Sequence, residues 1–143
     1  MAVRATYIIA VSLVGFLLAV PHAAFAQGLA EAAVLNQQVI QLYSQGRYSE
    51  ATPLAQRALA IQEKALGLHH PTVANLLNNL ALLYVEQGRY AEAEPLFKRS
   101  LAIREKALGS DHPDVAASLN YLAFNFIKTK VVMPTPSLCS NGH

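Results

Sequence analysis

The feature that most constrains the fold of this chain is an internal repeat. Segment 46–67 reads GRYSEATPLAQRALAIQEKALG and segment 88–109 reads GRYAEAEPLFKRSLAIREKALG, so that 16 of the 22 aligned positions are identical. The two segments are offset by 42 residues. The glycines at 46, 67, 88 and 109 are spaced by 21 residues, which is half of this repeat offset. Because glycine is favoured just past the end of a helix, this spacing predicts helices of nearly equal length joined by short turns.

The segments between these glycines have helical patterns. From Val73 to Tyr84 the apolar residues follow the i, i+3, i+4, i+7 spacing of one buried helix face. Pro113 and Asp114 suit the first turn of a later helix. The patterns predict an all-α fold with five helices, at about 29–45, 48–66, 71–87, 90–108 and 113–130.

The N-terminal segment has the layout of a secretory signal peptide. Arg4 precedes an apolar run over residues 7–20, and Ala24-Phe25-Ala26 fits the small-x-small pattern of a cleavage site. Residues 1–26 are therefore predicted to be removed, with cleavage after Ala26. The alternative is an uncleaved anchor, but Pro21 ends the apolar run short of the roughly 20 residues that a membrane span needs. The residue directly after the cleavage site is Gln27 rather than a cysteine, so a lipid anchor is not expected.

Charge and composition exclude several classes of function. The net charge is +2 without a block of lysine or arginine, so no nucleic acid and, after cleavage, no membrane is expected as a partner. The single cysteine, Cys139, excludes an internal disulfide framework and a cysteine-based zinc site. It is either a free thiol in a loose tail or the source of an intermolecular disulfide. No nucleophile elbow, phosphate-binding loop or pair of catalytic carboxylates is present, so neither catalysis nor a cofactor is expected.

Histidines and basic residues each have two interpretations. His70 and His112 are repeat-equivalent and precede proline, which favours a structural role in a turn over metal binding with His69.

The second helices carry basic residues interleaved with glutamates, which we interpret as a solvated outer face rather than a site for an acidic partner. These basic residues are Arg57, Lys64, Lys98, Arg99, Arg104 and Lys106.

The repeat resembles a known family. The string GRYAEA at 88–93 has apolar residues before and after it at the positions of a tetratricopeptide repeat. Those positions are Leu77, Leu80, Ala81, Tyr84, Phe97 and Leu101. The usual repeat has about 34 residues, whereas the longer period of this chain resembles the subclass found in kinesin light chains. The first copy departs from the pattern, since Leu42 and Ala55 replace the aromatics at Tyr84 and Phe97.

The resemblance covers about residues 29–127 and implies antiparallel helix pairs stacked as a short right-handed solenoid. The expected repeat domain, 27–130, holds two and a half repeats at 29–67, 71–109 and 113–130, followed by a loose tail over 131–143. The third repeat has a first helix without a second. Either that helix caps the stack or the chain is a piece of a longer protein. Phe124, Phe126 and Ile127 are expected to be partly uncovered, which favours self-association or a lost neighbour.

The resemblance also implies a concave surface that binds a protein or an extended peptide. The family's groove positions correspond to Asn36, Gln37, Ile40, Asn78, Asn79, Leu82, Asn120, Tyr121 and Phe124. The asparagines at 36, 78 and 120 recur at the repeat offset, so they are expected to form a ladder that bonds a peptide backbone. The alternative is that these amides bond neighbouring helix turns.

Together these features predict an exported, non-enzymatic interaction module, periplasmic or secreted. Bacterial export is expected because the leader is compact and because repeats of this family are widespread in bacteria. The alternative is the truncated N-terminal repeat region of a larger bacterial enzyme, such as a hydrolase or a caspase-like protease.

Cleavage of the leader is directly testable. N-terminal sequencing of the exported protein should read Gln27-Gly28-Leu29, because Ala24 and Ala26 fit the small pockets that read a signal-peptide cleavage site. An intact Met1 terminus found only in the membrane fraction would contradict this prediction.

Overall fold

The computed structural model describes the backbone of residues 2–132 and the side chains of residues 23–132. Over this range it contains five helices and no strand: α1 Ala2–Ser44, α2 Tyr48–Leu66, α3 Pro71–Glu86, α4 Tyr90–Leu108 and α5 Pro113–Val132. Each helix packs against the next, and turns of three or four residues join them. The predicted all-α stack is confirmed. Four of the five helices match their predicted bounds to within two residues.

The first helix differs from its predicted start. α1 begins at Ala2 rather than near residue 29, and it continues through Pro21 and the rest of residues 2–26 of the predicted signal peptide. In the part of the chain with described side chains, 23–132, no helix is long and apolar enough to span a membrane. At the other end, α5 reaches Val132, two residues beyond its predicted end. The remainder of the predicted loose tail, with Cys139, lies outside the described residues.

The glycines end the first helix of each pair in one recurrent turn. Gly46 and Gly88 both have φ of 72°, a conformation that favours glycine. The Arg47 N–H donates to the Leu42 carbonyl at 2.9 Å, and the Gly46 N–H donates to the Tyr43 carbonyl at 3.0 Å. This 6→1 and 5→2 pairing is the Schellman motif. The same two bonds recur at the equivalent positions around Gly88, so both helix pairs close with the same geometry.

The repeat-equivalent histidines cap the helices that follow them. His70 Nδ1 accepts a hydrogen bond from the Thr72 N–H at 3.2 Å, and His112 Nδ1 accepts one from the Asp114 N–H at 3.1 Å. Each bond satisfies one of the backbone donors that a helix start leaves without a partner. The turn-structural interpretation of these two histidines is confirmed.

A continuous core runs through the stack. It extends from Leu35 in α1 to Ile103 in α4, with α3 at its centre. Ala51 and Ala93, which occupy the same position in the two second helices, are fully buried. Small side chains at such positions let helix backbones approach closely. Phe97 is also buried, and the first copy fills the equivalent position only with Ala55.

The six basic side chains of the second helices are exposed or half-exposed, in agreement with the predicted solvated face, and three of the arginines also reach neighbouring helices. Arg99 of α4 donates to Glu63 Oε1 of α2 at 2.5 Å and to the Leu68 carbonyl at 3.1 Å. Arg104 of α4 joins its two neighbours, because it donates to Ser118 Oγ of α5 at 2.7 Å and to Asn75 Oδ1 of α3 at 2.8 Å. Arg57 of α2 pairs with Glu31 of α1 at 2.5 Å. The planar, forked guanidinium can reach two partners at once, so these arginines connect successive helices.

Packing at Ala93 is testable by overpacking. Ala93→Leu should lower the free energy of unfolding by about 1–3 kcal/mol, because the added atoms have no room in a fully buried position. Lys98→Leu on the same helix is the matched control. Its ion pair with Glu94 is exposed and contributes less than about 1 kcal/mol. Equal shifts in thermal unfolding for the two variants would contradict the assigned buried face of α4.

Candidate functional site

A groove separates the first helices of the first two repeats. It is lined by Val39, Ile40 and Tyr43 of α1 and by Asn79 and Leu82 of α3, and it encloses about 170 Å³. We call this the α1–α3 groove. Its lining is mainly apolar, and Ile40 is 57% exposed. An exposed aliphatic side chain beside a concave apolar surface is an arrangement that can bury one side chain of a ligand.

Two polar pairs cross from α1 to α3 at the ends of this groove. Asn79 Nδ2 donates to Asn36 Oδ1 at 3.2 Å, and Tyr43 OH donates to Glu86 Oε1 at 3.0 Å. The two residues of each pair are 43 positions apart, which is one more than the repeat offset. They lie seven residues apart along each helix, which is about 10 Å. The amides at 36 and 79 therefore bond each other across the groove.

The Tyr43 hydroxyl is held in its protonated form. Burial raises the pKa of Tyr43 most, and the hydrogen bond and negative charge of Glu86 raise it further, to about 12. A phenol with so high a pKa remains a donor throughout the physiological range. The Tyr43 hydroxyl can therefore donate to Glu86 at this end of the groove across the physiological pH range.

The three repeat-equivalent asparagines are not equivalent in the structure. Asn78 is only 6% exposed, whereas Asn36 is half-buried and Asn120 is exposed. The cause is the surroundings of each helix, because α3 packs against both α2 and α4, while α5, within the described residues, packs mainly against α4. The expected ladder of three accessible amides is therefore corrected: Asn78 offers almost no surface, and its Oδ1 has no partner among the described residues.

The remaining predicted site residues fall into two groups. Asn36, Ile40, Asn79 and Leu82 meet at the α1–α3 groove, with Gln37 exposed next to them on α1. The others lie on α5, away from this groove. Tyr121 stacks on Phe97 of α4, with ring centroids 6.0 Å apart. Phe124 is 48% exposed, with Lys128 Nζ 5.3 Å from its ring centroid.

Sequence reasoning missed Val39 and Tyr43 of the groove and Glu86 at its end. Tyr43 follows Ile40 by three residues, and Glu86 follows Leu82 by four, so both lie on the same helix faces as predicted site residues. Helical periodicity extended by one turn would have found them. Nothing local indicated that they would bond each other.

A second cavity, of about 350 Å³, lies between α1 and α2 and is lined by Ala24, Phe25, Gly28, Ile61, Lys64 and Ala65. Two of these residues, Ala24 and Phe25, precede the predicted cleavage site. Removal of the leader would take away one wall of the cavity, so we do not assign a site there. Across the residues that the structure describes, no three His, Cys, Asp or Glu side chains are grouped to hold a metal ion.

The contribution of Glu86 to the Tyr43 pKa is measurable. Glu86→Ala removes the hydrogen bond and the charge but leaves burial in place, so the pKa of Tyr43 should fall from about 12 and remain above 10.0. Phenolate absorbance against pH, with Tyr43→Phe to assign the signal, would show the shift. Glu50→Ala is the control, since Glu50 pairs with Arg47 instead. An unchanged Tyr43 titration in Glu86→Ala would show that this bond does not form.

Comparison with protein families agrees with this geometry. The family model described as tetratricopeptide repeat matches residues 30–106 and again residues 72–129. The starts of the two matches differ by the internal offset of the sequence. Together they extend over residues 30–129, well over half of the chain, and the longer, kinesin-light-chain-like subclass is consistent with the match. The chain belongs to the tetratricopeptide repeat family.

Proposed function

We propose that this protein is an exported, non-enzymatic scaffold that holds a short extended segment of a partner protein along the α1–α3 groove. Tetratricopeptide repeats form protein–protein interaction scaffolds, and membership in the family supports this general kind of partner. The observation that carries the proposal is the apolar α1–α3 groove itself, bounded by a polar pair at each end.

The dimensions of the groove suggest how such a segment would bind. About 10 Å separates the two polar pairs, and an extended chain advances by roughly 3.3 Å per residue. The groove therefore accommodates about three residues. One apolar side chain would pack between Ile40 and Leu82, while the peptide backbone would exchange hydrogen bonds with the amides of Asn36 and Asn79.

The charges beside the groove select among peptides. The described part of α1 with α3 carries no lysine or arginine and two acidic side chains, of which Glu31 is paired with Arg57 of α2. Glu86 lies at one end of the groove, where it accepts a hydrogen bond from Tyr43. Like charges brought together oppose binding. We therefore propose that neutral or basic segments bind and that acidic segments are rejected.

Export is the second part of the proposal. The sequence layout of residues 1–26 supports it, since Arg4, the apolar run and the Ala24–Ala26 pair follow the order of a secretory leader. Cleavage after Ala26 would leave residues 27–44 of α1, which include every α1 residue of the groove. The scaffold would then act in the bacterial periplasm or outside the cell, without a cofactor.

Self-association through α5 is the third part. Phe124, Phe126 and Ile127 are 48%, 57% and 59% exposed, as the sequence predicted. Exposed apolar side chains grouped on one helix are typical of an interaction surface.

Binding in the groove is testable with a matched pair of variants on α1. Ile40→Glu should weaken binding of a captured partner segment more than tenfold. It removes apolar contact worth about 1.5–3 kcal/mol, and tenfold corresponds to about 1.4 kcal/mol. Val34→Glu is the control, because Val34 is 53% exposed on the same helix but does not line the groove.

Affinities would be measured by calorimetric titration with a synthetic peptide from the partner, and circular dichroism would check the fold. An equal loss of affinity in both variants, or none in Ile40→Glu, would contradict the proposed site. Lengthening the peptide with acidic residues should weaken binding, and an increase in affinity would contradict the proposed selectivity.

A further inference from the structure

One face of α5 is open although the same face of α3 is covered. The open face of α5 consists of six residues: Ala116, Leu119, Asn120, Ala123, Phe126 and Ile127. Their repeat equivalents in α3 are all buried: Ala74, Leu77, Asn78, Ala81, Tyr84 and Val85. In α5 all six are exposed. The sequence therefore provides a helix-packing surface that the described residues leave unoccupied.

In the second repeat, the helix that covers the equivalent face of α3 indicates what could pack on the open face of α5. α4 lies over the equivalent face of α3, because Ser100 Oγ donates to the Ala74 carbonyl at 2.8 Å and the Arg89 guanidinium lies 4.4 Å from the Tyr84 ring centroid. Ala81, which is fully buried there, is equivalent to Ala123. The open face of α5 therefore suits a helix that approaches closely near Ala123.

We infer that the helix covering this face is α5 of a second copy of this chain, related by a two-fold axis and running antiparallel. This inference rests on the proposed self-association through α5, and it adds the orientation and the contacts. Such a pair is isologous, since the same surface serves both copies.

Charge selects the antiparallel orientation. Asp111 and Asp114 lie at the start of α5, whereas Lys128 and Lys130 lie near its end. An antiparallel pair brings the acidic end of each copy toward the basic end of the other. A parallel pair would place the Lys130 ammonium groups of the two copies side by side on the open face, which is unfavourable.

The sizes of the side chains fit the same arrangement. If the two-fold axis passes beside Ala123, the Ala123 side chains of the two copies meet where the two helices are closest. Leu119 of each chain, 48% exposed, then meets Ile127 of the other, which is 59% exposed. Ala116 meets Lys130, whose aliphatic stem can lie over the small side chain while its ammonium stays in water. The face is therefore self-complementary about one axis.

Cysteine pairing in the full-length chain tests this geometry. Two single-cysteine chains, Leu119→Cys and Ile127→Cys, are made in a Cys139→Ser background, and one carries a tag. In the antiparallel pair residues 119 and 127 face each other, within the short reach of a disulfide. Two copies of residue 119 lie about 12 Å apart along the axis, which a disulfide cannot bridge.

Oxidation of the mixture should give a heterodimer at least tenfold in excess of the homodimers formed by either chain alone. Adding Ala123→Lys to both chains should abolish the heterodimer, whereas Val34→Lys, on the exposed side of α1, should leave it unchanged. Homodimers from Leu119→Cys alone would indicate a parallel pair and overturn the inference.

Sedimentation velocity on the cysteine-free chain separates the two levels of the proposal. A monomer would overturn both self-association and the antiparallel pair, and would leave the open face to a helix of another protein. A dimer whose chains do not cross-link through 119 and 127 would overturn only the antiparallel arrangement.

Discussion

The stack depends on one constraint: a helix pair with one apolar face cannot bury that face alone. α3 is the element in which this constraint is satisfied, because α2 covers one flank and α4 covers the other. Ten of its sixteen residues are buried, among them Asn78. α5 has the same pattern but only one packed flank, and just three of its twenty residues are buried. The number of covered flanks, rather than the local sequence, decides how much of each helix is hidden.

Short turns convert this constraint into a binding surface. The Schellman turns at Gly46 and Gly88 and the histidine caps at His70 and His112 fix how each helix leaves the preceding one. Because these turns are repeated with the same geometry, first helices follow one another along one side of the stack. The α1–α3 groove and its two polar pairs result from that repetition. Arginine bridges such as Arg104, which contacts both α3 and α5, hold the pairs at fixed spacing.

Local signals in the sequence were sufficient for most of the helix bounds. Glycines mark the turns that bound α2 and α4, which were predicted to the residue, and proline after histidine marks the first residue of α3 and of α5. The start of α1 could not be found in this way. The leader was recognised by composition, and composition does not determine whether the backbone remains helical through Pro21.

Contacts between distant residues were beyond the sequence. Asn36 and Ile40 were predicted at the groove because they follow the family pattern, but the partner of Asn36 could not be foreseen. Arg99 and Glu63 are 36 residues apart, and nothing in either segment shows that their side chains meet. Asn78 and Asn120 are identical by pattern yet differ in exposure, since exposure depends on which neighbour packs alongside.

Native-state hydrogen exchange tests most directly the claim that α3 is the element on which the stack depends. Amides of α3 should exchange only through global unfolding and should be the slowest of the chain, because both flanks of that helix are buried. Residues 30–44 of α1 are the repeat equivalent of α3 but pack fully against one neighbouring helix. Their amides should exchange faster than those of α3, through partial opening of α1. Equal or greater protection of residues 30–44 would contradict the central position of α3.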